Sequence, residues 1–239
     1  MRQGLRLANV GSAMANRNAI LNFHGLGGIP DYAVFDERPY WISVPRFEEI
    51  LDEITICRAS GQTVEITFDD GNRTDLDIAV PYLRDRGLTA TFFVLTGRLE
   101  RDGYLAAVDI RSLLDMGMSV GLHGYHHVDW RRLDAAGLHE EIPQARVVLS
   151  EIMRKHVGTV SVPFGAYNRR VMSFLSRMDF DTIFTSDGGL ARQGARVRPR
   201  VTIRTDTDMD DIRKLLAGAV STRESLQRGV KSFLKRYVI

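Results

Sequence analysis

The chain contains a single cysteine, Cys57. No intrachain disulfide can form, and a cysteine-rich zinc site is excluded. No stretch approaches the roughly 18–20 consecutive apolar residues that a transmembrane helix needs. Residues 1–18 lack a hydrophobic run flanked by a basic start and a small-residue cleavage site, so the expected location is cytoplasmic, at most at the inner membrane face. An excess of one charge is missing too: 32 Lys+Arg against 30 Asp+Glu leave +2, which argues against a nucleic-acid partner. The locally basic stretch Arg223 to Arg236 reads as the solvated face of a terminal helix. No linker, repeat or low-complexity run divides the 239 residues. The expectation is one domain over residues 19–239, after a poorly ordered extension at 1–18.

What the chain does have is alternation. Strands are expected at Ala19–Phe23, Val64–Phe68, Thr89–Leu95, Met118–Leu122, Val160–Val162, Asp181–Thr185 and Val201–Ile203. Between them lie helical patterns: one capped by Ser43 and running to Gly61, then Asp77–Arg86, Val108–Met116, Ala135–His156 (with Pro143 as a kink), Arg169–Met178, Met209–Leu216 and Glu224–Tyr237. This is an α/β pattern with a mainly parallel sheet and helices outside it. His24, Asp69-Asp70, His123 and Pro163-Phe164-Gly165 each follow a strand. In a parallel barrel, strand C-termini share one face, and that face carries the active site.

Asp69 and Asp70 are adjacent carboxylates, which repel unless a cation or shared protons hold them together. Gly71 supplies the permissive backbone for the turn behind them. His123 and His127 are four residues apart and, joined by Asp70, make a His₂Asp set with open positions, as a catalytic zinc site keeps. His126 reads three ways: surface, partner of a ligand residue, or alternative ligand. Tyr32, Phe35, Tyr40 and Trp41, together with Trp130, suit either core burial or sugar stacking.

Thr67-Phe68-Asp69-Asp70-Gly71, then His123-x-x-x-His127, then Pro163-Phe164-Gly165-Ala166-Tyr167-Asn168 resemble the polysaccharide deacetylases, carbohydrate esterases that share the nodulation-deacetylase homology domain. The resemblance spans Leu21 to Ile203 and implies a distorted (β/α) barrel of seven or eight strands. It further implies Asp69 as catalytic base, one divalent ion (zinc first) on Asp70, His123 and His127, and an oxyanion held by the backbone N–H near Phe164, after Pro163. Two departures stand out. The motif Arg-x-Pro-Tyr reads Ser161-Val162-Pro163-Phe164, so its Arg is absent; Arg200 is the expected substitute beside Asp69. The late Leu-x-His motif is also absent. Leu21-Asn22-Phe23-His24 resembles instead the permuted subgroup, in which the first strand brings the catalytic acid, here His24. The implied reaction is hydrolysis of an N-acetyl group on an amino-sugar-containing poly- or oligosaccharide or sugar precursor. Deformylation, hydrolysis of a ureide or small amide, and a non-catalytic carbohydrate-binding barrel are the alternatives.

Overall fold

The computed structural model describes residues 17–219. The helix expected at Glu224–Tyr237, the basic stretch beside it and residues 1–16 of the extension lie outside the described residues. Six strands are laid down in chain order: β1 (Arg17–Phe23), β2 (Val64–Phe68), β3 (Thr91–Val94), β4 (Ser119–Leu122), β5 (Thr159–Ser161) and β6 (Thr182–Thr185). Each pairs parallel with the next. Arg17 and Asn18 therefore belong to β1 rather than to the extension. They pair antiparallel with β7 (Ala191–Arg192), whose two residues are too few to carry a period.

The sheet is drawn round into a nearly closed barrel by one short run of chain. β8 (Val197–Pro199) pairs parallel with β6, and β9 (Val201–Thr202) pairs parallel with β1. Arg200 stands between these two pairings. Its N–H donates to the Thr185 carbonyl at 2.8 Å, and the Ile203 N–H donates to the Asn22 carbonyl at 2.8 Å. The seam of the barrel thus passes through Arg200.

Helices α1 (Val44–Ala59), α2 (Val80–Asp85), α3 (Ala107–Asp115), α4 (Ala135–His139), α5 (Ala145–Met153), α6 (Arg169–Ser176) and α7 (Met209–Leu216) follow the strands. Ser43 caps α1 as its pattern predicts, its hydroxyl accepting from the Arg46 N–H. Two helices are distorted at a proline. Pro81 and Pro143 each lack an N–H, and each ring would strike the carbonyl four residues earlier, so the backbone widens into π turns at Asp75–Ala79 and Glu140–Gln144. The helix expected over Ala135–His156 thus carries its kink at Pro143 as a π turn, and it ends at Met153 with Arg154 left-handed at φ 52°.

Strand alternation divides the core. Leu21, Phe23, Ile66, Phe68, Phe92, Val94, Val120 and Leu122 pack in the main apolar cluster with residues of the helices. On the opposite faces, Ile20, Phe93 and Phe184 join Ala191 in a separate small apolar plug. Further along the same faces come Asn22, Thr67, Ser161 and Arg200, all buried. The inward face therefore changes from apolar to polar toward the strand ends, and the next inward positions are His24, Asp69 and His123. Phe93→Ala should remove the plug beneath Arg200 and cost about 3–5 kcal/mol of unfolding free energy, read by urea denaturation. A loss below about 1 kcal/mol would contradict this packing.

Candidate metal centre and active site

Asp69 lies where β2 ends, its N–H donating to the Phe23 carbonyl at 3.0 Å. Its carboxylate is almost fully buried and is gripped from both sides. Arg200 donates from Nη1 to Oδ1 at 2.8 Å and from Nη2 to Oδ2 at 2.7 Å. Asn22 Nδ2 adds a bond to Oδ2 at 3.0 Å. Arg200 in turn donates to Asn22 Oδ1 at 2.7 Å and to Ser161 Oγ at 2.6 Å. Burial alone would raise the Asp69 pKa, but the Arg200 charge and hydrogen bonds, with smaller help from His123 and His24, hold it well below the usual carboxylate range. Asp69 is held ionised.

Asp70 turns the other way, at φ 81°, and Gly71 completes the turn at φ 69°, where a Cβ would lie 3.2 Å from Val94 Cγ1. Asp70 Oδ1 is buried and has no hydrogen-bond partner among the described residues. The Nε2 atoms of His123 and His127 both stand 3.5 Å from it. One donor atom from each of the three residues falls within 4.8 Å of the others. The Nδ1 of His123 lies 3.0 Å from the Ser161 carbonyl, which can only accept, so the proton sits on Nδ1 and the Nε2 lone pair faces Asp70. Burial pushes His123 down to about 4 against the pull of Asp69 and Asp70. At His127 burial also opposes the charge, but Asp70 and Glu37 outweigh it and raise the value. A buried carboxylate oxygen without a donor, faced by two imidazole nitrogens, fits a divalent cation.

The loop carrying the two histidines is not helical. Glu141, which the π turn at Pro143 places inside the structure, accepts from the Tyr125 N–H at 3.0 Å, the His126 N–H at 2.9 Å and Trp130 Nε1 at 3.3 Å. Gly124 passes so close, at φ 100°, that a Cβ would lie 2.9 Å from Glu141 Oε2. His126 places Nδ1 2.8 Å from the same carboxylate and stands outside the ligand set. Trp130 is fully buried, so sugar stacking is not its role; Trp41 is buried as well.

His24 follows β1 as expected, its ring stacked on Tyr40 at 4.8 Å and its buried Nδ1 without a partner. Phe164 follows Pro163 in a tight turn, 60% exposed at φ 57°, and its ring stacks on His127 at 4.3 Å. Sequence reasoning brought Asp69, Asp70, His123, His127 and Arg200 together, and the structure gathers them. It missed Asn22, Thr67 and Ser161 around Asp69, Glu141 behind the loop, and Glu37 with Arg98 beside His127. Asn22 and Thr67 had a signal: they are polar residues at inward positions of two apolar strands, and they pair in register. Glu37 had none.

These features accompany a clear kinship. The sequence profile of the Polysaccharide deacetylase family matches residues 58–183, more than half of the chain, and the chain belongs to that family. It is 28% identical over 130 residues to a chitin deacetylase of Pestalotiopsis sp, covering 54% of this chain and 43% of the relative. The chain spans about half the length of the curated relatives it matches. Among solved structures, IcaB from Ammonifex degensii superposes with a TM-score of 0.70 at 22% identity, over 86% of this chain and 98% of that one. The Streptococcus pyogenes deacetylase PplD in complex with acetate gives 0.72 at 18% identity, over 84% and 98%. The fold is that of the deacetylase barrels.

One carboxyl near the site has no such support. Asp75 is fully buried, neither of its oxygens has a hydrogen-bond partner among the described residues, and burial together with the charges of Asp70 and Asp69 raises its pKa well above the ordinary value. A carboxyl raised on folding contributes stability that is present below about pH 4 and lost as pH climbs toward its folded value. In metal-free protein, Asp75→Asn should therefore raise Tm at pH 8 and do so less at pH 5. A variant that melts lower than wild type at pH 8 would contradict this.

Proposed function

We propose that the chain is a metal-dependent N-deacetylase, hydrolysing the N-acetyl group of an amino sugar within a poly- or oligosaccharide or a sugar precursor. The observation that carries this reading is the pair of unlike carboxylates: Asp69 paired with Arg200 and Asn22, Asp70 left with an open oxygen toward His123 and His127. One aspartate is built to stay a base while its neighbour is built to bind. Asp70, His123 and His127 would hold the ion, zinc first, which when bound acidifies a water and polarises the amide carbonyl.

The chain's own groups supply the rest. Asp69, kept ionised by Arg200, takes the proton of the attacking water. The backbone N–H near Phe164, in the turn after Pro163, donates to the oxyanion that grows on the amide carbon. His24 delivers a proton to the departing amine, which without it is a poor leaving group. Phe164, 60% exposed, offers apolar surface for a sugar ring.

The test is acetate release from N-acetylglucosamine oligomers by the zinc-loaded protein, with a formamide and a ureide as competing substrates. Asp69→Asn should retain the metal and lose about 10²–10⁴-fold in turnover. Full activity in that variant would remove Asp69 from the base role.

A further inference from the structure

Between β1 and α1 the chain makes an excursion, and its 3₁₀ turn Phe35–Tyr40 contains no buried residue. Core packing does not account for it. The turn is nevertheless pinned at its end: the Thr205 N–H donates to the Pro39 carbonyl at 2.9 Å, and Arg204 donates to the Tyr40 hydroxyl at 3.3 Å. From this turn one side chain points inward. Glu37 is only 14% exposed, and its Oε1 takes a bond from Arg98 Nη2 at 2.7 Å. The same oxygen lies 3.4 Å from Nδ1 of His127.

Arg98 Nη2 also lies 3.3 Å from that nitrogen, so two hydrogen-bond schemes compete for Nδ1. In one, Arg98 donates to a bare Nδ1; in the other, Nδ1–H donates to Glu37. The site chooses between them. If Nε2 keeps its lone pair for the Asp70–His123 set, the proton of the neutral ring must sit on Nδ1, and only Glu37 can accept it, because guanidinium is a donor alone. Glu37 touches the nitrogen that faces away from that set, so it lies outside the ligands.

We propose that Glu37 is a positioning residue of the metal site, which accepts the Nδ1–H of His127, locks the tautomer that presents Nε2 beside Asp70, and thereby raises the affinity of the site for its ion. This rests on the reading of Asp70, His123 and His127 as ligands. Carboxylates that hold the far nitrogen of a ligating histidine typically contribute 10–100-fold in affinity. Here that carboxylate comes from the surface excursion rather than from a barrel strand.

The experiment is titration of zinc into metal-stripped protein against a chromophoric chelator, with the visible spectrum of the cobalt-loaded protein as a second readout. Glu37→Ala should weaken zinc binding about 10–100-fold and alter the cobalt bands. Glu37→Gln, whose amide oxygen can still accept from Nδ1–H, should lose less. Phe35→Ala, in the same turn but exposed, should bind as wild type does. Unchanged affinity and spectrum in Glu37→Ala would overturn the role of Glu37, and so would an equal loss in Phe35→Ala, which would trace the effect to the turn as a whole. A wild-type chain that takes up no zinc would instead bring down the metal-site reading beneath it. Because the turn contributes no residue to the apolar core, circular dichroism should show all three variants folded.

Discussion

A guanidinium and a carboxylate, both stripped of water, meet inside the barrel, and much of the surrounding structure exists to make that tolerable. Burying either charge alone would cost several kcal/mol, and attraction offsets the cost only when the remaining donors and acceptors are also used. Arg200 meets this condition at Nη1 and Nη2, which reach both oxygens of Asp69 and the side chains of Asn22, Thr67 and Ser161; its Nε has no partner among the described residues, and its flat face lies near Phe93 and Phe184. Position and chemistry coincide. β8 and β9 pair with opposite edges of the sheet, so the residue between them sits on the seam. Where the family's motif places an arginine, this chain has Ser161, small enough to leave room for a guanidinium arriving from the seam and polar enough to bond it.

Around this pair the backbone is held under strain. Three of the non-glycine residues with left-handed φ are Asp70, His127 and Phe164. Such conformations cost of order 1–3 kcal/mol each and persist only where the surroundings over-determine them. Glu141 is one such surrounding group, clamping the histidine loop through two backbone N–H groups. It is in position because Pro143 disrupts a helix, so a local fault in one element supports the geometry of another.

Much of this could be read from the residues. Alternation placed seven strands and put His24, Asp69-Asp70, His123 and Pro163-Phe164 on one rim, because period two and terminal polar residues are local signals. The vacancy in the Pro-Phe motif directed attention to Arg200. What stayed hidden was non-local or too short to have a pattern. β7 and β8 hold two and three residues, so they left no periodic trace, and although Val201–Ile203 read as a strand, its pairing with β1 across the seam did not. The meeting of Glu37 with His127 joins positions ninety apart in the chain through an irregular turn. Trp130 stayed open between core burial and sugar stacking, because nothing in its neighbours announces that Glu141 will accept its indole N–H inside the fold.

The account depends most on Asp69 remaining a carboxylate although it is buried. Carbon-detected NMR titration of the aspartate carboxyls from pH 7 to 4, with Asp69→Asn used to assign the resonance, measures this directly. An ordinary aspartate is close to half protonated at about pH 4. The structure predicts a flat response for Asp69 across the whole range, since Arg200 stays bound to the ionised form. A protonation step within that window would mean that the Arg200 pairing does not hold Asp69 as a base.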